Sequence, residues 1–295
     1  MSSAMSHCIQ TVLGGVEVHQ LTGPILPHEH IVVDFSRGIV APPRGLEWLI
    51  QARLNLGNLG KIRQYPYSVQ RNLVMDDVQE MASELEMFRA AGGATICELS
   101  CVGVSVGVEG TGVRCGAAYI GCSWPLHPTE EKALRAASAL QRTLGRHEQC
   151  PFQILDILES SGADITRVCI THNDRTFPPQ SPRLLDLVSR GCYLNISLFG
   201  KECSHYQYDS SADMPSDAQR IEMVKRLLDA GHRDRILVSH DVVCRHELRR
   251  YGGHGYTHLL EHVVPKMMDR GIDQGTIASI TTNNPRHWLT PLSVS

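Results

Sequence analysis

The sequence predicts an α/β protein of the TIM-type (β/α) barrel class, with about two of its β/α units missing or truncated. Three observations predict this. Short apolar runs alternate with amphipathic helical stretches along the chain. Most of the runs are rich in Val, Ile, Leu and Cys, as strands buried on both faces are. The chain has 295 residues, a length that repeated β/α units use as one domain. No sharp change of composition and no low-complexity tract divides it, so residues 1–295 are read as a single domain.

Taken in order, the candidate strands are 25–33, 94–99, 117–122, 167–171, 193–199 and 236–239. The helices between them carry start and stop signals. Asp76 opens a helix that runs through Val78, Met81, Leu85 and Phe88 and stops at Gly92 and Gly93. Thr129, followed by Glu130 and Glu131, opens a second that ends at Gly145. Ser216 and Gln219 have the spacing of a capping box, and their helix continues through Met223, Val224, Leu227 and Leu228 to Gly231. A last helix covers 259–269. Two irregularities carry the truncation. After Gly145 no apolar strand precedes the next helix-like run, 152–159. Between Val102 and Gly116, the glycines at 103, 107, 110, 112 and 116 leave no room for a helix.

Composition narrows the function classes. A formal net charge of −3 argues against a nucleic-acid partner, which needs clustered Lys and Arg. The densest basic stretch, from Arg245 to Arg250, is broken by Glu247 and reads as a solvated helix face. The first ten residues lack a basic start followed by an apolar segment, and nowhere do about 18 apolar residues run uninterrupted. A cytoplasmic protein with a small-molecule substrate and no membrane partner is expected. The ten cysteines are scattered without a CxxC pair, so they are expected to be reduced thiols and neither a zinc site nor a nucleophile.

The residues that could carry chemistry stand at strand ends. His28 and His30 flank Glu29 at the end of, or within, the first candidate strand, where i and i+2 side chains share a side and Glu29 points away. With 15 His in 295 residues, chance supplies roughly 0.8 such pairs, so exposed loop histidines remain an alternative. His172 closes the run 168–171, and Asp241 follows His240 after the run 236–239. Alone, His172 reads as a satisfied histidine and Asp241 as a turn residue. Together, three strand ends bearing His or Asp read as a divalent-metal site, because barrel active sites lie at the C-terminal ends of the strands. A carboxylate there can also accept the proton of an attacking water. The glycine-rich loop 252–256 matches no phosphate-binding pattern, and its role stays open.

The chain resembles the phosphotriesterase-related proteins, a branch of the amidohydrolase superfamily. The resemblance rests on Gln10-Thr11-Val12-Leu13-Gly14, Pro27-His28-Glu29-His30, Ile120-Gly121-Cys122-Ser123-Trp124-Pro125-Leu126, Thr171-His172-Asn173-Asp174-Arg175-Thr176, Ser239-His240-Asp241, the segment from Tyr251 to Tyr256, and Asn284-Pro285. It covers nearly the whole chain. The resemblance implies an eight-stranded barrel with up to two divalent metal ions per chain, commonly zinc, at its C-terminal mouth. It assigns His28, His30, His172 and Asp241 as metal ligands, with Asp241 also the catalytic proton acceptor. It further implies hydrolysis of an amide, in N-acyl amines such as N-acetyltaurine or an N-acetyl amino acid, or of an ester, ahead of phosphotriesters. Two departures fall on the two irregularities. Tyr119 stands where the family has its bridging carboxylate, and a phenol ligates only as phenolate. No strand ending in His-Pro-Gly-Arg precedes Pro151, and His147 is at best a displaced stand-in. The alternative reading is therefore a non-catalytic or impaired relative that keeps the fold with an incomplete site.

Overall fold

The structure, a computed structural model, describes residues 8–100, 122, 125–137, 143–144 and 148–290. Of the six expected strands, five are present in shortened form: Ile25–Glu29, Thr95–Glu98, Cys169–Thr171, Tyr193–Ile196 and Ile236–Val238. The expected strand 117–122 lies outside the described residues except for Cys122.

Ile236–Val238, Tyr193–Ile196, Cys169–Thr171 and Thr143–Leu144 form one parallel sheet in that order, and Ile25–Glu29 pairs in parallel with Thr95–Glu98. A carboxylate and one backbone contact join the two sheets, with no ladder between them. Asp241 N–H donates to the His28 carbonyl at 3.3 Å, and Glu29 accepts from the N–H groups of His240 and Val242 at 2.8 and 2.9 Å. The described strands thus make an arc with no closed sheet among the described residues. Its two edges, Thr95–Glu98 and Thr143–Leu144, flank the part of the chain that holds the irregularity at 102–116, and the second irregularity follows Thr143–Leu144 directly.

One expectation there is corrected. The helix read as running from Thr129 to Gly145 is described over Pro128–Ala137 and does not reach Gly145, because Thr143–Leu144 is a strand paired with Ile170 and Thr171. A strand therefore does precede the helix Cys150–Ser160. Two residues are too short to show as an apolar run.

Alternation along the strands separates two layers. Ile170, Leu194, Ile196, Ile236 and Val238 join the large core under the outer helices. Cys169, Tyr193 and Leu237 point the other way and pack with Trp288. On that same face Asn195 and Ser239 hydrogen-bond at 2.9 Å, so the layer turns polar toward the strand ends.

The other expected helices hold where their caps predicted, within a residue. Val78–Ala90 is capped by Asp77 rather than Asp76, its side chain accepting from Gln79 and Glu80 N–H. Its end needs both glycines: Gly92 sits at φ +93°, and a Cβ on Gly93 would lie 2.2 Å from the Phe88 ring. Asp217–Asp229 has both arms of the Ser216–Gln219 capping box. The expected helix 259–269 forms as a π-helical turn, Leu259–Val263, leading into Val264–Asp269. Pro265 lacks an N–H and its ring crowds the carbonyl four residues back, so the turn widens. Ser279–Asn283 does the same before Pro285. Five of the eight described cysteines are buried.

Candidate metal and hydrolytic site

The strand ends bring the four predicted residues together. His28 Nε2 and His30 Nε2 each lie 3.2 Å from Asp241 Oδ1, and His172 Nε2 lies 4.0 Å from Oδ2. One donor atom each from His28, His172 and Asp241 falls within 4.8 Å of the others, all three residues buried. Glu29, between the histidines, points away as expected.

Local backbone geometry aims these side chains. His172 and Asp241 both sit at φ +57°, the only non-glycine residues at positive φ among the described residues. Each turns sharply off a strand end, a conformation that costs about 1–3 kcal/mol unless its surroundings enforce it. At His172 they do: its backbone N–H donates to Ser197 Oγ at 2.9 Å, and the same hydroxyl meets His172 Nδ1 at 2.9 Å. His30 Nδ1 meets Ser100 Oγ at 3.1 Å. Both rings thus have their inner nitrogen tied and Nε2 turned to Asp241, the usual arrangement behind a metal-ligating imidazole.

The electrostatics suit a donor set. Burial drives the His172 pKa well below its ordinary value, which keeps the ring neutral with a lone pair to offer. Burial works to raise Asp241, but Lys201, His172 and hydrogen bonds from His28 and His30 outweigh it and hold the carboxyl well below the usual range. Three imidazole nitrogens and a carboxylate oxygen form a borderline donor set that fits zinc-like divalent ions. The 3.2 Å separations match the edges of a tetrahedron whose metal–ligand bonds are about 2.0 Å.

Beneath the ligands, Glu29 and His240 lock the strand ends. His240 Nδ1 lies 2.9 Å from Glu29 Oε1, and His240 Nε2 accepts from Leu259 N–H at 2.9 Å. Burial pushes Glu29 up to about 8, against the hydrogen bonds from Val242 and His240, and burial lowers His240 to about 3.

Sequence reasoning missed Lys201 and Glu247. The Lys201 ammonium lies 3.4 Å from Asp241 Oδ2 and 3.1 Å from Glu247 Oε1, and no spacing signal links those three positions. Lys201 and Glu247 also line a cavity of about 600 Å³ with Tyr67, Tyr206, His254 and His258; none of the four ligand candidates lines it, and Lys201 is its link to Asp241. The glycine-rich loop gains a role here, since Gly252, Gly253 and His254 form part of that wall and Tyr256 OH donates to the His30 carbonyl at 2.5 Å. Tyr119 and His147 lie outside the described residues.

Known proteins share this arrangement of chain and fold. Residues 103–289 match the model of the Phosphotriesterase family. The chain is 35% identical to N-acetyltaurine hydrolase of Xenopus tropicalis, covering 98% of this chain and 99% of that protein. It is 36% identical to the phosphotriesterase-related protein of Nematostella vectensis with the same coverage. The crystal structure of a resiniferatoxin-binding protein from Rhodobacter sphaeroides superposes with a TM-score of 0.89 at 24% identity, covering 96% of this chain and 95% of that one, which supports an α/β barrel. With most of its length matched, and with relatives above 30% identity end to end, the chain belongs to the phosphotriesterase family of hydrolases.

Proposed function

We propose that the chain is a divalent-metal-dependent amidase that cleaves small N-acyl amines, N-acetyltaurine or an N-acetyl amino acid among them. The carrying observation is the convergence of His28, His30 and His172 Nε2 on the two oxygens of Asp241. Bound there, a zinc-like ion would acidify a water and polarise the substrate carbonyl. Asp241, held ionised by its neighbours, takes the proton from the attacking water and returns it to the departing amine nitrogen. The cavity beside it has the size of a small-molecule site, and Tyr67 and Tyr206 supply an aromatic wall. Relatives that act on N-acetyltaurine favour an amide over a phosphotriester. The alignment with the Xenopus protein runs over 348 positions against 295 residues here, which supports reading two β/α units as shortened.

An impaired relative is the second reading. It is favoured by Tyr119 at the family's bridging position and by the ammonium already seated on Asp241. Release of free amine from N-acetylated amines separates the two. Wild-type turnover that falls roughly 10²- to 10⁴-fold in Asp241→Asn supports the amidase. Equal rates in the two proteins, or no turnover in either, would sink it.

A further inference from the structure

Lys201 is fixed with unusual completeness for a surface-loop lysine. Its side chain is 8% exposed, and its backbone is held from both sides. Lys201 N–H donates to the Leu198 carbonyl at 3.0 Å, and its own carbonyl accepts from Arg220 Nη2 at 2.9 Å. The preceding Gly200 turns at φ +91° with a Cβ position only 2.5 Å from the His254 ring, so no larger residue fits that turn. Glu247, the second carboxylate on the ammonium, is fixed in turn by the N–H groups of Val243 and Cys244 at 2.7 and 2.9 Å on its other oxygen. The ammonium therefore occupies a built position.

That position matters because the two oxygens of Asp241 face different partners. Oδ1 faces His28 and His30, and Oδ2 faces Lys201 and His172. An ion on Oδ1 meets ligands already in place. A second ion on Oδ2 would lie no farther than about 5.5 Å from the ammonium, given a bond of about 2.1 Å. Lys201 between two carboxylates leaves this buried cluster one negative charge in excess. One dication reverses that by a single charge, but two would leave three uncompensated positive charges out of water, which proteins do not tolerate without further partners.

We infer that Lys201 stands in for the charge of a second metal, so that the site takes one divalent ion where its donor set could be read as holding two. The inference rests on the metal reading of His28, His30, His172 and Asp241. Its test counts ions and needs no turnover. Chelator-stripped full-length chain is titrated with Co²⁺ and with Zn²⁺, and bound metal is counted by elemental analysis after desalting. Asp241→Ala sets the background from other histidines.

The wild type is expected to hold one equivalent above background, and Lys201→Met to gain a second. Lys201→Gln, which can still hydrogen-bond to Glu247, is run in parallel, with a cooperative melt by circular dichroism as the check on folding. Two equivalents in the wild type overturn the inference, and so does a folded Lys201→Met or Lys201→Gln that still takes only one. A wild type that takes up nothing above background overturns the metal reading as well, so the two failures are distinct.

Discussion

His172 and Asp241 are the residues that turn strand ends into a site. Both leave their strands in a left-handed conformation, and their side chains meet beyond the strand ends at 4.0 Å. For His172 the enforcing partner is Ser197, and for Asp241 it is the backbone contact to His28. Asp174, two residues beyond His172, shows the opposite use of a motif carboxylate. Its oxygens accept from Ser197 and Leu198 N–H at 3.2 and 3.0 Å and from Arg220 Nε at 2.8 Å, with Arg220 and Asp174 fully buried. It anchors the loop that carries Lys201. Asp174→Ala strands a buried guanidinium with only Asp217 as its carboxylate, and should cost about 3–5 kcal/mol. Urea unfolding checks this, and a loss under 1 kcal/mol would reject the anchoring role. The four ligand candidates were legible in the sequence because each closes an apolar run. Lys201 and Glu247 were not, because Lys201 reaches Asp241 and Glu247 across 40 and 46 positions through loops without periodicity.

At the scale of elements, caps and glycines were the reliable signals. Ser216 and Gln219 form the capping box that their spacing announced, and the helix they start buries Ile221, Val224 and Leu227 against the core. Ser216→Ala should destabilise the protein by about 1 kcal/mol, seen as a lower denaturant midpoint at unchanged slope. No change in midpoint would mean that packing alone fixes that helix. Two features escaped the sequence for stated reasons. Thr143–Leu144 is too short for a hydrophobic pattern, and its strand character comes from pairing with Ile170 and Thr171. The π-helical turns before Pro265 and Pro285 follow from the missing N–H, yet periodicity shows only a helix.

Across the whole molecule, the strand ends gather the titratable groups on one side of the arc. Burial holds His246 at about 4 and His254 at about 3, below the ordinary value of 6.5. The unfolded chain protonates these rings first, so stability is full above about pH 6.5 and is lost as pH falls toward the folded values. Thermal melts should therefore show a falling midpoint from pH 6.5 downward, and a flat profile between pH 6.5 and 4 would count against neutral buried rings. The parallel β/α order was legible from apolar runs and caps. The joint between the two sheets was not, since it depends on Glu29, a carboxylate that sequence logic set aside as pointing away from the ligands.

The central claim is that a divalent ion held by His28, His30, His172 and Asp241 supports amide hydrolysis. Its most direct test is the release of free amine from an N-acetylated amine by one preparation, measured before chelation, after chelation, and after return of Zn²⁺, Mn²⁺ or Co²⁺. The account predicts turnover that disappears with the metal and returns with it. Turnover undiminished in the metal-free chain, or none in the loaded one, would contradict it.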